Sequence, residues 1–172
     1  MKKCIRRHVF ETNSSSTHSV CISKGDIGNS YLFVDDEDNK VHVSFGEFGW
    51  GYDTLTSQTE KLSYLCTMLM ETECKKFENV DDIYQTIGFN QINDCIKEKC
   101  NCDGVVFDDE IEVRSYEYQG KTYTYLDKDG YIDHQSCEGY ANINDFLNDY
   151  GTDIESFIFN NNISVIIDND NH

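Results

Sequence analysis

The chain has 172 residues and carries 32 Asp plus Glu against 14 Lys plus Arg, a formal net charge of −18. That length suits one domain of ordinary size, and that charge repels the phosphate backbone on which nucleic-acid affinity depends, which argues against a conventional DNA or RNA binder. With 38 % apolar and 13 % aromatic residues, the chain also holds too much hydrophobic material for a disordered acidic tail.

Reading from the N-terminus, the alternating, β-branched run His18 to Ser23 predicts a short strand. Tyr31 to Val34 and Lys40 to Phe45 flank the acidic stretch DDEDN, which predicts a hairpin with a solvated turn. Between Thr54 and Cys102 the period changes. Leu62, Leu65, Cys66 and Leu69 recur at helical spacing, as do Val80, Ile83, Tyr84 and Ile87 and then Ile92, Cys95 and Ile96, so two or three helices are expected. From Val105 the period returns to two, and VVFDD, EIEVRSYEYQ, KTYTYLD and YIDHQS predict an antiparallel meander turning at QG and DKDG. NINDFLNDY and DIESFIFN read as a short helix pair, with Asn142 or Asn144 and Thr152 as cap candidates, and ISVIID as a final strand.

These elements predict an α+β fold: an antiparallel sheet, formed by the hairpin and a Tyr-rich meander, with a helical insertion packed on one face. A single domain is expected over 1–172, with the motif segment and hairpin in 1–53, the helical region in 54–102, and the meander, short helices and final strand in 103–172.

No run approaches the roughly 18 to 20 consecutive apolar residues of a membrane span, and MKKCIRRHVFETN lacks the apolar core of a secretory signal. The expectation is a cytoplasmic protein with no membrane contact. Away from an oxidising compartment, most of the 8 cysteines read as small buried hydrophobes or free thiols. Cys95-x4-Cys100-x-Cys102 and His134-x2-Cys137 offer soft ligands in two groups, as zinc requires, but the spacing is not that of paired C-x2-C knuckles and Cys95 falls on an apolar helical face. No metal and no cofactor is assigned.

Charge is unevenly placed. Residues 1–24 hold Lys2, Lys3, Arg6, Arg7 and Lys24 against the single acid Glu11, so a +4 segment precedes a body of −22. Such a segment either docks on the acidic body or presents an anion site. Within it lies the densest constellation of the chain: Arg6, Arg7, Glu11, Asn13, Ser14, Ser15, Ser16, Thr17 and His18. Seven of the eight residues Thr12 to Ser19 are Thr, Asn or Ser, which favours loops and turns over helix or strand. Arg6, Arg7, Asn13 and the hydroxyls of Ser14 to Thr17 suit a phosphate or carboxylate, and Glu11 and His18 are the types that serve as general acid and base. A solvated structural loop, an anion or nucleotide pocket, and a protein contact are the three readings of this segment.

Two aromatic features also allow alternatives. Phe45-Gly-Glu-Phe-Gly-Trp-Gly51 reads as a loop that plugs the core or as a binding loop closing over the N-terminal motif. Tyr116, Tyr118, Tyr123 and Tyr125 read as cross-strand pairs on a half-buried sheet or as a stacking and partner-binding platform. The acids Glu110, Glu112, Glu117 and Asp127 interleave with them, which weakens stacking on nucleic acid.

The run RRxxFETNSSSTHS, followed by FGEFGWG and KLSYL (Lys61 to Leu65), resembles a group of bacteriophage and bacterial mobile-element proteins that has no established activity. The likeness spans about the first 65 residues, and FETNSSSTHS fits without a gap. It implies a phage or mobile-element setting and supplies no catalytic assignment.

Two functions follow as expectations. The first is an acidic inhibitor of a host nuclease or defence protein, acting by nucleic-acid mimicry as an anti-defence or anti-CRISPR-like factor. Its partner would be a host protein with a basic nucleic-acid-binding surface, with no direct nucleic-acid contact. The second is a small enzyme or a binder of a small phosphorylated ligand, its pocket built from the N-terminal motif.

Overall fold

The computed structural model describes residues 3–6, 16–23, 30–49 and 51–169, with side chains at all of these except 3–6, 16, 17, 135 and 169. The fold is α+β. One four-stranded antiparallel sheet runs in the order β1 (Lys3–Arg6), β2 (Ser16–Ile22), β10 (Ile163–Asn169), β5 (Asp53–Leu55). Three two-stranded pairs complete the strands: β3 (Val41–Val43) with β6 (Val105–Phe107), β4 (Glu47–Phe48) with β9 (Tyr131–Ile132), and β7 (Ile111–Tyr118) with β8 (Lys121–Lys128).

The centre of the molecule is α1 (Gln58–Thr72). A capping box starts it: Ser57 Oγ accepts from the Glu60 N–H and the Glu60 carboxylate accepts from the Ser57 N–H, so two otherwise orphaned donors are satisfied. Its apolar positions extend beyond one stripe, and Leu62, Tyr64, Leu65, Cys66, Met68 and Leu69 are all enclosed. A helix apolar on most sides belongs inside a core, and α1 accordingly packs against α5 (Ile154–Phe159), α4 (Ile143–Asp149), α3 (His134–Cys137) and β9. Each enclosed Leu or Met stabilises the fold by about 1.5–3 kcal/mol relative to exposure. The second long helix, α2 (Ile87–Cys100), is capped by Thr86 Oγ1 on the Phe89 N–H and ends at Asn101 in the left-handed region, with a 3-10 helix (Val80–Gln85) before it.

The helices around Leu62 and Ile92, the short pair near residues 143–159, the final strand and the acidic turn stand where they are expected, whereas the run Val80 to Ile87 divides: Val80–Gln85 is a 3-10 helix, Thr86 is extended, and Ile87, exposed, opens α2. The turn is closed by the Asp35 N–H on the Lys40 carbonyl at 2.8 Å and the Asn39 N–H on the Asp35 carbonyl at 2.9 Å. Partner choice differs from expectation. Tyr31 to Val34 is irregular chain, so the turn joins no hairpin; β3 instead pairs in parallel with β6 from beyond the helical region, where Val41, Val43 and Val105 are buried together. The expected meander reduces to the single hairpin β7–β8. YIDHQS divides into β9, which pairs in parallel with β4, and the helical turn α3. Period two identifies a strand but carries no information about a partner reached through a crossover. Asp153, and not Thr152, caps α5, its Oδ1 accepting from the Ser156 N–H at 2.7 Å, while Asn142 caps α4 as expected.

Candidate functional site

The N-terminal motif splits. Ser16 and Thr17 stand in β2 opposite Asn169 and Asp168 of β10, because backbone pairing with β10 outweighs the local preference of hydroxyl side chains for turns. Ser16 to Ser19 are therefore strand and not the expected loop. Arg6 lies on the edge strand β1, opposite Ser19. Arg7, Glu11, Asn13, Ser14 and Ser15 lie outside the described residues.

His18 is 5 % exposed and projects from β2 onto α1. Its Nδ1 shares a 3.0 Å hydrogen bond with Tyr64 Oη, and the Tyr150 hydroxyl donates to the His18 carbonyl at 3.2 Å. Its Nε2 has no hydrogen-bond partner among the described residues, and neither does Ser136 Oγ of α3, the helical turn that packs on β2. Burial lowers the His18 pKa to about 4 against the opposing pull of the Asp133 carboxylate, so the imidazole is neutral at pH 7. Burial likewise holds the Tyr64 phenol well above its ordinary value, and Tyr64 stays protonated. Tyr64, Asp133 and Tyr150 were not singled out from the sequence. The one available signal was Tyr64, a polar-tipped ring within the apolar helical face of KLSYL.

The cysteines carry no exposed reactive centre among the described residues. Cys21 is disulfide-bonded, and Cys4 is its register partner across β1–β2. Cys66, Cys74, Cys95, Cys100, Cys102 and Cys137 are free. Burial pushes the thiols of Cys66 and Cys74 up to about 12 and that of Cys95 to about 11, far from the thiolate range. Cys102 and Cys137 point their thiols at main-chain oxygens, His134 is exposed, and no group of three His, Cys, Asp or Glu among the described residues is arranged around a metal position.

The aromatic glycine loop serves the core. Phe45 and Phe48 are buried, and Phe48 meets Tyr64 edge-on at 5.0 Å. A Cβ at Gly46 would collide with the Phe48 ring, and one at Gly49 with the Tyr131 ring, so the glycines permit this close approach. Trp50 lies outside the described residues.

On the surface, carboxylates converge where β3 and β6 run side by side. His42 lies between Asp108, at 2.6 Å from Nδ1, and Asp38, at 3.3 Å from Nε2, and its pKa is raised chiefly by the hydrogen bond to Asp108. Asp36, Glu37, Asp103 and Glu110 are exposed on the same connections.

The β7–β8 hairpin has a different character. Opposite residues of an antiparallel pair share a face, so the pairs Tyr116–Tyr123, Arg114–Tyr125 and Tyr118–Lys121 place all four tyrosines on one face. Tyr116 and Tyr123 stack at 5.4 Å and Tyr125 meets Tyr116 edge-on at 6.0 Å. The cross-strand pairing reading is thus correct in its contacts, but the face is largely open, with Tyr116 54 %, Tyr118 58 % and Tyr123 41 % exposed. Beside Tyr116 and Tyr125 a cleft of about 610 Å³ descends to the C-terminal end of α1, between Met70, Glu71, Leu126 and Asp127. Among the described residues no helix is long and apolar enough to cross a membrane. No family model, curated protein or solved structure matches the chain.

Proposed function

We propose that this chain is a phage or mobile-element accessory protein that occupies the basic, nucleic-acid-binding surface of a host nuclease or defence protein, its carboxylates taking the place of phosphates. The observation that carries the reading is how its charge is distributed. The acids in residues 25–172 outnumber the bases by 22, and the few cations are largely committed internally. Lys61 is enclosed and donates to the Asn160 and Ile163 carbonyls, and Lys128 is held by Glu71 and the Gly130 carbonyl. Lys40, Lys75, Lys99 and Arg114 are paired with carboxylates. The outer field is therefore strongly negative, which accelerates encounter with a basic partner and repels nucleic acid.

The placement of His18 supports binding over proton transfer at that residue, since a neutral, enclosed imidazole presents no charge to a ligand and is poised far from the pH at which a general base works best. The phage-like N-terminal run supports the setting.

The test is competition. The protein, added to a host nuclease or defence protein already holding labelled DNA, should release the DNA, with an apparent affinity that falls by about tenfold or more between 50 and 300 mM salt as screening shortens to below about 10 Å. Co-occupancy of partner, DNA and this protein in one complex would overturn the mimicry reading.

A further inference from the structure

We infer that the tyrosine face of the β7–β8 hairpin, with the cleft at its base, is the short-range contact surface for an arginine-rich segment of a partner protein. This rests on the reading above and deepens it: the acidic body supplies attraction at a distance, and the hairpin supplies the contact. Each strand of the ribbon has eight residues, so it reaches about 25 Å from its base. Neither strand pairs with a third among the described residues, and most positions are exposed. Isolated two-stranded ribbons are marginal in water. This one is held by its tyrosine stack, by Arg114 bridging Glu112 and Asp127 at 3.1 and 2.9 Å, and by a Gln119–Gly120 turn with both residues at positive φ.

Charge selects the occupant. The tyrosine face is itself neutral, since Glu112 and Asp127 offset Arg114 and Lys121, but it is part of a chain of −18. A second copy and a nucleic acid are both repelled by that field, and a cationic protein is drawn in. Aromatic faces that then meet a guanidinium gain a cation–π contact, for which arginine stacks better than lysine. In the cleft, an arginine stem can lie along Leu126 with its head on the Tyr116 and Tyr125 rings; Glu71 and Asp127 are already paired there with Lys75, Lys128 and Arg114, so the rings and not free carboxylates make the contact. Rigid tyrosines around a central anchor are the usual composition of an interface hot spot.

The test uses the isotopically labelled full chain and two defined probes, a nona-arginine and a nona-lysine peptide, at 50 mM salt. Amide shifts on adding nona-arginine should concentrate on residues 111–128, and nona-arginine should bind several-fold more tightly than nona-lysine. Joint replacement Tyr116→Ala and Tyr123→Ala should weaken nona-arginine binding about tenfold, whereas Tyr116→Phe with Tyr123→Phe, which keeps the rings, should retain it. Shifts confined to the acidic connections 35–38 and 108–110, with the alanine pair unchanged, would overturn the hairpin assignment and leave the acidic-inhibitor reading standing. Binding of neither peptide would overturn both. Hairpin shifts produced by oligothymidylate, or by concentrating the protein alone, would assign the face to nucleic acid or to a second copy and overturn the proposal.

Discussion

The imidazole of His18 and the phenol of Tyr64 meet at 3.0 Å where β2 crosses α1, and this bond joins the N-terminal motif to the middle of the core. A residue type commonly found at catalytic centres is used here to lock a strand onto a helix. Its neutral state is set by the apolar surroundings that enclose it.

Acid should therefore loosen the fold through His18. The unfolded chain takes up this proton near pH 6.5 and the folded chain only near 4, so stability is lost as pH falls through that interval, by about 3 kcal/mol in total. Denaturant melts of the parent and His18→Gln at pH 7, 5.5 and 4.5 should show a steeper decline for the parent. Parallel declines would mean that His18 titrates normally.

Lys61 shows the same physics with a base of higher pKa. Burial lowers its pKa to about 8, so between about 8 and 10.5 the unfolded chain binds the extra proton and the fold gains stability as pH rises. Lys61→Met removes the donor to the Asn160 and Ile163 carbonyls and should cost about 1–3 kcal/mol at pH 7. The gap between parent and variant should widen from pH 8 to 10, as read from melts across that range.

His42 runs in the opposite direction. Its pKa is raised by Asp108 and Asp38, so the stabilisation from this cluster is complete below pH 6.5 and is lost as pH rises through the elevated value. Ring-proton NMR should place its titration above 6.5, and Asp108→Asn should bring it down. An unchanged midpoint in that variant would show that the 2.6 Å contact does not govern the charge.

Gly120 governs the hairpin without entering the core. It has φ +72 at the exposed tip, where a β-branched side chain is strained. Gly120→Val should raise amide exchange along residues 111–128 while leaving the melting temperature of the body nearly unchanged. Loss of global stability by more than about 1 kcal/mol would show that the ribbon is part of the cooperative unit.

How much of this was legible varies with how local the cause is. The helices around Leu62, Leu65 and Leu69 and around Ile92 and Ile96 followed from spacing, because a helix is made of contacts three and four residues apart. The partners of Val41 and Tyr131 did not, since parallel pairing joins segments far apart in sequence and leaves no local signature. His18 was identified as a residue of consequence, but its burial depends on Tyr64, Tyr150 and the packing of α3, which no pattern around residue 18 encodes. The tyrosines were legible as a face, while their exposure depended on the absence of a third paired strand among the described residues, which is a property of the assembled fold.

The position of β10 between β2 and β5 sets an order on synthesis. Ile22 faces Ile163, so the strand that carries His18 obtains its inner neighbour only after residue 163 has left the ribosome. The helices form from nearby segments and can assemble earlier, whereas the sheet must wait for a long-range closure, which slows folding more than it reduces stability. A nascent chain halted after α5 would hold packed helices beside two strands with open edges, with Val20 and Leu55 deprived of Val165. Chaperones and proteases recognise such surfaces. A chain that ends before the central strand therefore leaves the facing edges of β2 and β5 open, and one that includes it can pair both.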